Sequence, residues 1–218
     1  MITFIGWDIL RDNPQILQVG DVFHQRSTSF ISRNIRRFTQ HPGERESFAS
    51  HTAMVLYSDT APVLGHRYEP RPLRTGVMII ESQHRTNVNP ILSYANDSTD
   101  AVITRVPGLT PADHAALQLA ALEYEGRPYP YGKIALHALD RILYSGRYVL
   151  RRLAFSGSEY CTALVQAIYQ DAGLNLAPFD RDDIDPDKLL DYAMRVGHRI
   201  VWASSERALE LVQTIYAP

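Results

Sequence analysis

The sequence predicts an α+β fold with a mostly antiparallel sheet, or a small barrel, packed against helices, and three observations predict it. Short apolar runs rich in β-branched residues stand apart from stretches of helical periodicity. The two kinds of element do not alternate as strict βαβ units. The composition, 45% apolar and 21% charged in 218 residues with 12 Gly and 13 Pro, suits a chain that buries one real core. A single domain over 1–218 is expected, with 1–19 and 199–218 as flanking elements.

In chain order, the first 20 residues are mixed and broken by Pro14, and Gly20-Asp21-Val22-Phe23 is a turn leading into a short strand. In STSFISRNIRRFTQ, Ile31, Ile35 and Phe38 share one helical face while Arg33, Arg36 and Arg37 point elsewhere, which predicts a helix of about ten residues closed by His41-Pro42-Gly43. HTAMVLY (His51 to Tyr57) and GVMIIES (Gly76 to Ser82) read as two buried strands, antiparallel neighbours joined by a long connection. Weaker strand signals follow near Val88 to Leu92 and at Ala101 to Val106. Thr110-Pro111-Ala112-Asp113 is a helix start, with a hydroxyl cap, proline in the first helical position and an acid in the first turn. Gly126 is its stop, giving a helix over 111–125. After RPYPYG, Lys133 to Tyr144 predicts another helix, and Cys161 to Ala172 a third, closed by Gly173. Asp185-Pro186-Asp187 opens one more, ending near Gly197, before a strand-like Arg199 to Ala203 and a final helical stretch.

Composition narrows the functional classes. With 22 basic and 24 acidic residues the net charge is -2, so no global positive field draws the protein to nucleic acid or anionic lipid. A lone cysteine, Cys161, excludes an internal disulfide and any zinc site of several thiolates. MITFIGWDILRDNP does not read as a secretory signal and no run of 18 apolar residues occurs, so no transmembrane segment is expected and the cytoplasm is the default address. No Gly-rich phosphate loop, G-x-S-x-G or H-E-x-x-H is found, and no cofactor is expected. His24, His41, His66, His114, His137 and His198 show no metal-site spacing and read as ordinary polar residues. Arg33, Arg36 and Arg37 read as a solvated helix face or a contact for an anionic substrate, and Asp21 as a turn organiser.

Three residues carry candidate chemistry. Cys161 follows the turn-like Ser156-Gly157-Ser158 and falls in the first turn of a helix, where unpaired amides and the helix dipole favour a thiolate. It also lies on an apolar stripe with Leu164, Val165 and Ile168, as a small core residue would. His51 begins one buried strand and Glu81 nears the end of the other. Antiparallel pairing of His51 with Glu81, which also sets Tyr57 near Thr75, lets the carboxylate hold one imidazole nitrogen and leaves the other for a thiol. A nucleophile, a base and an orienter then come from three segments. A histidine at a strand edge and a glutamate at a strand end are, singly, common structural residues. Ser82 and His84 compete for the orienting role; on a straight strand Ser82 points to the other face and His84 lies one residue out of Glu81's parity, a judgement a β-bulge would reverse. Tyr160, Tyr129 and Tyr131 either line a cleft or fill a wall.

The order GDVF, FISRNIRRFTQ, SHTAMVLY, VMIIES, GRPYPYG and EYCTALVQAIY, from about Gly20 to about Met194, resembles the circularly permuted papain-like cysteine hydrolases, the YiiX-like branch of the NlpC-type superfamily, related to lecithin-retinol acyltransferase-like enzymes. The resemblance implies catalytic roles for Cys161, His51 and Glu81, with His before Cys through the permutation. It also implies an antiparallel sheet or small barrel packed on the helix that carries Cys161. The chain departs from the pattern in its long loop from Asp59 to Thr75, in Ser82 where alanine is common, and beyond about His198. The expected function is a cysteine hydrolase or acyltransferase that cleaves an amide or ester through an acyl-enzyme. Its small substrate would be a peptide or cell-wall fragment, or a lipid or acylated amino acid, with Tyr160 and Tyr131 as substrate-binding residues. The alternative is a non-catalytic member of the fold that binds a hydrophobic or peptide ligand in the same cleft.

Overall fold

The computed structural model describes residues 3–29, 32, 33, 36, 47–58, 76–83, 85–96, 98–128, 161–181 and 184–216. Among these residues seven strands form one mixed-order sheet: β1 (Phe4–Ile5), β2 (Val22–Ser27), β3 (His51–Ser58), β4 (Val77–Ser82), β5 (Thr86–Pro90), β6 (Thr99–Arg105) and β7 (Arg199–Ala203). Across the sheet they lie in the order β1-β7-β6-β2-β3-β4-β5. Every neighbouring pair is antiparallel except β1 and β7, which are parallel. Among the described residues the sheet is open, with β1 and β5 as its edges; it does not close into the barrel that was the other expectation. Among the described residues the helices α1 (Trp7–Asp12), α2 (Pro111–Leu122), α3 (Cys161–Asp171), α4 (Pro186–Arg195) and α5 (Glu206–Ile215) complete an α+β architecture.

Period-2 alternation gives the central strands two buried faces. On one, Val22, Met54, Leu56, Met78 and Ile80 pack against Leu117 and Ala121 of α2 and Leu164 and Ile168 of α3. On the other, Phe23, Ala53, Val55, Ile79 and Ile103 pack with Leu10, Leu17, Ile91 and Trp202. A third cluster joins Val102, Ile200 and Ala203 to Leu190 of α4 and to Ala208 and Val212 of α5. Burial on both faces explains why β3 and β4 read as continuous apolar runs. Helix α3 is likewise not a one-sided stripe: every residue from Cys161 to Tyr169 is buried, so the helix passes through the core.

The β3–β4 pairing corrects the expected register. Met54 faces Ile80 and Val55 faces Ile79, and after a bulge between Val55 and Tyr57, Tyr57 faces Met78 rather than the neighbourhood of Thr75. Continued toward the start of β3, the Met54–Ile80 register sets Glu81 opposite Ala53, two residues from His51. A slip of two keeps parity, so His51 and Glu81 remain on one face as diagonal neighbours, within reach of long side chains. The bulge lies at the far end of the hairpin and leaves Glu81's parity intact. It also places Leu56 and Tyr57 in the same cluster.

β1 and β7, from the two expected flanking elements, are both strands of the sheet. β1 pairs with β7, Trp202 is fully buried, and its indole Nε1–H donates to the Gly6 carbonyl. The Val88–Leu92 strand signal resolves into β5, which starts two residues earlier and stops at Pro90, followed by a 3-10 turn over Ile91–Tyr94. Thr110 caps α2 through a reciprocal capping box with Asp113, as its sequence implies, but the helix ends at Leu122 and a turn carries the chain to Gly126. Asp185 and Ser205 cap α4 and α5 through the backbone N–H groups of Lys188 and Ala208. Ser32, Arg33 and Arg36 are helical, while the rest of the expected arginine-bearing helix, including Arg37, and the helix expected over Lys133 to Tyr144 lie outside the described residues.

Candidate active site

His51 and Glu81 meet at the end of the sheet. The imidazole Nε2 lies 2.7 Å from Glu81 Oε2, with the His51 side chain 13% and the Glu81 side chain 2% exposed. Glu81 is chosen over its neighbours by geometry: Ser82 has the opposite parity and pairs with Thr86, and His84 lies outside the described residues. Three further donors, all missed in the sequence, hold the same carboxylate. Asn89 Nδ2 donates to Oε1 at 2.8 Å and Gln83 Nε2 to Oε2 at 3.1 Å, and the Tyr94 phenol donates to Oε2. Burial alone would raise the Glu81 pKa, but the His51 hydrogen bond and charge and the donations from Tyr94 and Asn89 bring it below the ordinary carboxylate value. Tyr94 itself is pushed far up by burial and by the Glu81 charge, so it stays a protonated donor.

Cys161, the first described residue of α3, is 7% exposed and sits over the start of β3. The His51 imidazole and the Thr52 backbone N–H lie close enough to act on its sulfur. With Nε2 committed to Glu81, Nδ1 is the nitrogen left for the thiol. Burial opposes a thiolate here, yet the His51 hydrogen bond and charge, with help from Thr52 and Thr162, lower the thiol pKa. His51 shows the mirror image: burial would lower its pKa, and its bonds to Cys161 and Glu81 raise it well above the usual imidazole value. Each shift supports the other, and together they favour a thiolate beside an imidazolium. Thr162 Oγ1 in turn lies 3.8 Å from the sulfur and 3.5 Å from Thr52 Oγ1, tying the helix to the strand.

Other singled-out residues fall elsewhere. Asp21 is more than a turn organiser. It accepts from the Gln18 backbone N–H at 2.8 Å and from Arg105 Nε and Nη2 at 2.8 and 2.7 Å, a buried bidentate ion pair. Gly20 beside it adopts φ +87, and its carbonyl accepts from the Tyr169 hydroxyl of α3. His24 is not an ordinary polar residue either: it is fully buried, its Nε2 lies 3.0 Å from Thr104 Oγ1, and burial lowers its pKa to about 3. His198 is buried with a lowered pKa, and His114 Nδ1 donates to the Val19 carbonyl. Arg33 is exposed, whereas Arg36 donates to the Ser27 carbonyl. His41, His66, His137, Tyr129, Tyr131 and Tyr160 lie outside the described residues, including both expected substrate-binding tyrosines.

A buried sulfur thus lies beside an imidazole that a buried carboxylate holds, the layout that a proton relay requires. Such a chain can keep a sulfur ionised, deliver a proton to a leaving group and recover one from water. Among the described residues no group of three or more His, Cys, Asp or Glu could hold a metal ion, and no helix is long and apolar enough to cross a membrane.

The chain matches no protein-family model and no curated protein. Among solved structures it is similar to one described as the metalloprotein yiiX from Escherichia coli O157:H7, DUF1105, at 21% identity and a TM-score of 0.47, over 88% of this chain and 91% of that one.

Proposed function

We propose that the chain is a cysteine hydrolase or acyltransferase of the permuted papain-like type, acting on an amide or ester. The observation that carries this reading is the 2.7 Å pair of His51 with the buried Glu81 carboxylate beside the buried Cys161, an arrangement whose charges favour a thiolate next to an imidazolium. The Cys161 sulfur attacks the carbonyl carbon, and the negative charge that develops on oxygen meets the Cys161 backbone N–H in the first helical turn. Collapse breaks the bond to the leaving group, which takes its proton from His51 Nδ1. His51, now neutral, removes a proton from water or from a second acceptor as that molecule attacks the acyl-sulfur bond, and the sulfur leaves as thiolate. Glu81 keeps the imidazole's Nε2 protonated and Nδ1 turned to the sulfur.

The substrate is a small peptide-like or lipid-like acyl compound. A panel of acyl-thioester and acyl-peptide probes followed by intact-mass analysis tests the reading. An adduct on Cys161, lost in Cys161→Ala, supports it, and its mass identifies the acyl group. Probe turnover that persists in Cys161→Ala rejects it. Tight probe binding without any adduct or turnover would favour a ligand-binding role in the same cleft.

A further inference from the structure

We propose that Tyr94, from the 3-10 turn after β5, is a positioning residue that locks the Glu81 carboxylate and backs the His51 imidazole, keeping Nδ1 aimed at the Cys161 sulfur. The role rests on the thiol-hydrolase reading for the reaction it serves, although its measurement does not require turnover.

Two contacts on one side chain carry the argument. The Tyr94 ring stacks beside the imidazole, with centroids 6.2 Å apart and planes inclined by 26°. Its hydroxyl donates to Oε2, the same oxygen that receives His51 Nε2. The direction of the phenol proton is fixed by Gln83. That amide nitrogen contacts both the Tyr94 oxygen and Oε2, and turning the amide over would set its oxygen against the carboxylate. Gln83 therefore donates to the phenol, and the one proton Tyr94 owns points to Glu81. With Asn89 on Oε1, the carboxylate is held at both oxygens and its plane cannot swing. The ring also packs on Phe23, with centroids 5.3 Å apart, but the hydroxyl is bonded to Glu81 and Gln83 rather than to backbone, which space filling alone does not require.

The test is the pH dependence of Cys161 alkylation by iodoacetamide in the full chain. Tyr94→Phe keeps the ring and removes the donor, so Glu81 takes up a proton at higher pH and releases the imidazolium sooner. The acid limb should move upward by about one pH unit, the scale of one lost hydrogen bond to a charged group. Site-specific 3-fluorotyrosine at position 94, nearly the same size and a stronger donor, should move it downward and decides the matter if Tyr94→Phe fails to fold. Acid limbs that stay with the wild type in both proteins overturn the proposal. If wild-type Cys161 titrates as an ordinary thiol, the hydrolase reading fails, and a 13C titration of the Glu81 carboxyl in the same proteins still settles the Tyr94 role: a shifted midpoint sustains it and an unshifted one ends it.

Discussion

Replacing Glu81 by Gln keeps the side chain's size and removes its charge, which isolates what the carboxylate does to His51. In the native site four donors share two anionic oxygens, and Nε2 stands 2.7 Å from one of them. A Gln at this position offers one neutral acceptor to the same four donors. A charge-assisted hydrogen bond contributes about 1.5–3 kcal/mol, equivalent to about one to two pKa units on the imidazole. His51, held at about 10 in the native site, should then titrate near ~8 to ~9. The same energy predicts a fall of roughly ten- to a hundredfold in the rate of acyl-probe turnover. The assay is NMR titration of the His51 ring, assigned by its absence in His51→Asn. Linkage gives a second readout. His51's folded pKa is raised above its unfolded value of 6.5, so its contribution to stability is complete below that value and fades as pH rises through about 10. In Glu81→Gln that alkaline loss should be smaller and should end at a lower pH. An imidazole titration that overlays the wild type in the variant would refute the reasoning.

Three other outcomes follow from the fold. Gly20→Ala places a Cβ 2.8 Å from Leu117 Cδ1 and 3.0 Å from the Tyr169 hydroxyl at φ +87, and should lower stability by about 1–3 kcal/mol in a urea melt. Asp21→Ala leaves Arg105 without its bidentate partner and should cost ~3–5 kcal/mol by the same assay, with the joint change to Asp21→Leu and Arg105→Met costing less than the single one. His24 is neutral when folded and its pKa is lowered from 6.5 to about 3, so the unfolded chain binds the extra proton between those values. Stability should therefore fall as pH drops from 6.5 toward about 3, by at most ~1.4 kcal/mol per pH unit from this group, with a shallower slope in His24→Gln.

The meeting of His51 and Glu81 was legible because parity, rather than register, decides which residues share a face. The pairing first expected for β3 and β4 was two residues out, yet His51 and Glu81 still met, since a slip of two returns every side chain to its own side. Caps were legible for a related reason: Thr110 with Asp113, Asp185 and Ser205 act within three residues of their partners, where spacing alone fixes the contact. What escaped depends on distant segments. Asp21 and Arg105 lie 84 positions apart, and nothing local to either announces the pair. Asn89 and Tyr94 reach Glu81 only because β5 folds back on β4 and a 3-10 turn follows Pro90, whereas Gln83 lies two residues from Glu81 with the same parity. Their one signal was β5 itself: antiparallel pairing sets Asn87 opposite Glu81 and brings Asn89 alongside it with the same parity. The first strand was unreadable singly because β1 has two residues and acquires its meaning from β7, almost 200 positions later, whereas β7 was legible as the strand-like Arg199 to Ala203.

The central claim, that Cys161 is an ionised sulfur held by His51, is tested most directly by the rate of Cys161 alkylation across pH in the wild-type protein. The account predicts rapid labelling well below pH 7 and a plateau that runs on until the imidazolium is lost at high pH. A rate that is negligible at pH 6 and climbs only toward pH ~9, as for an isolated thiol, would contradict it.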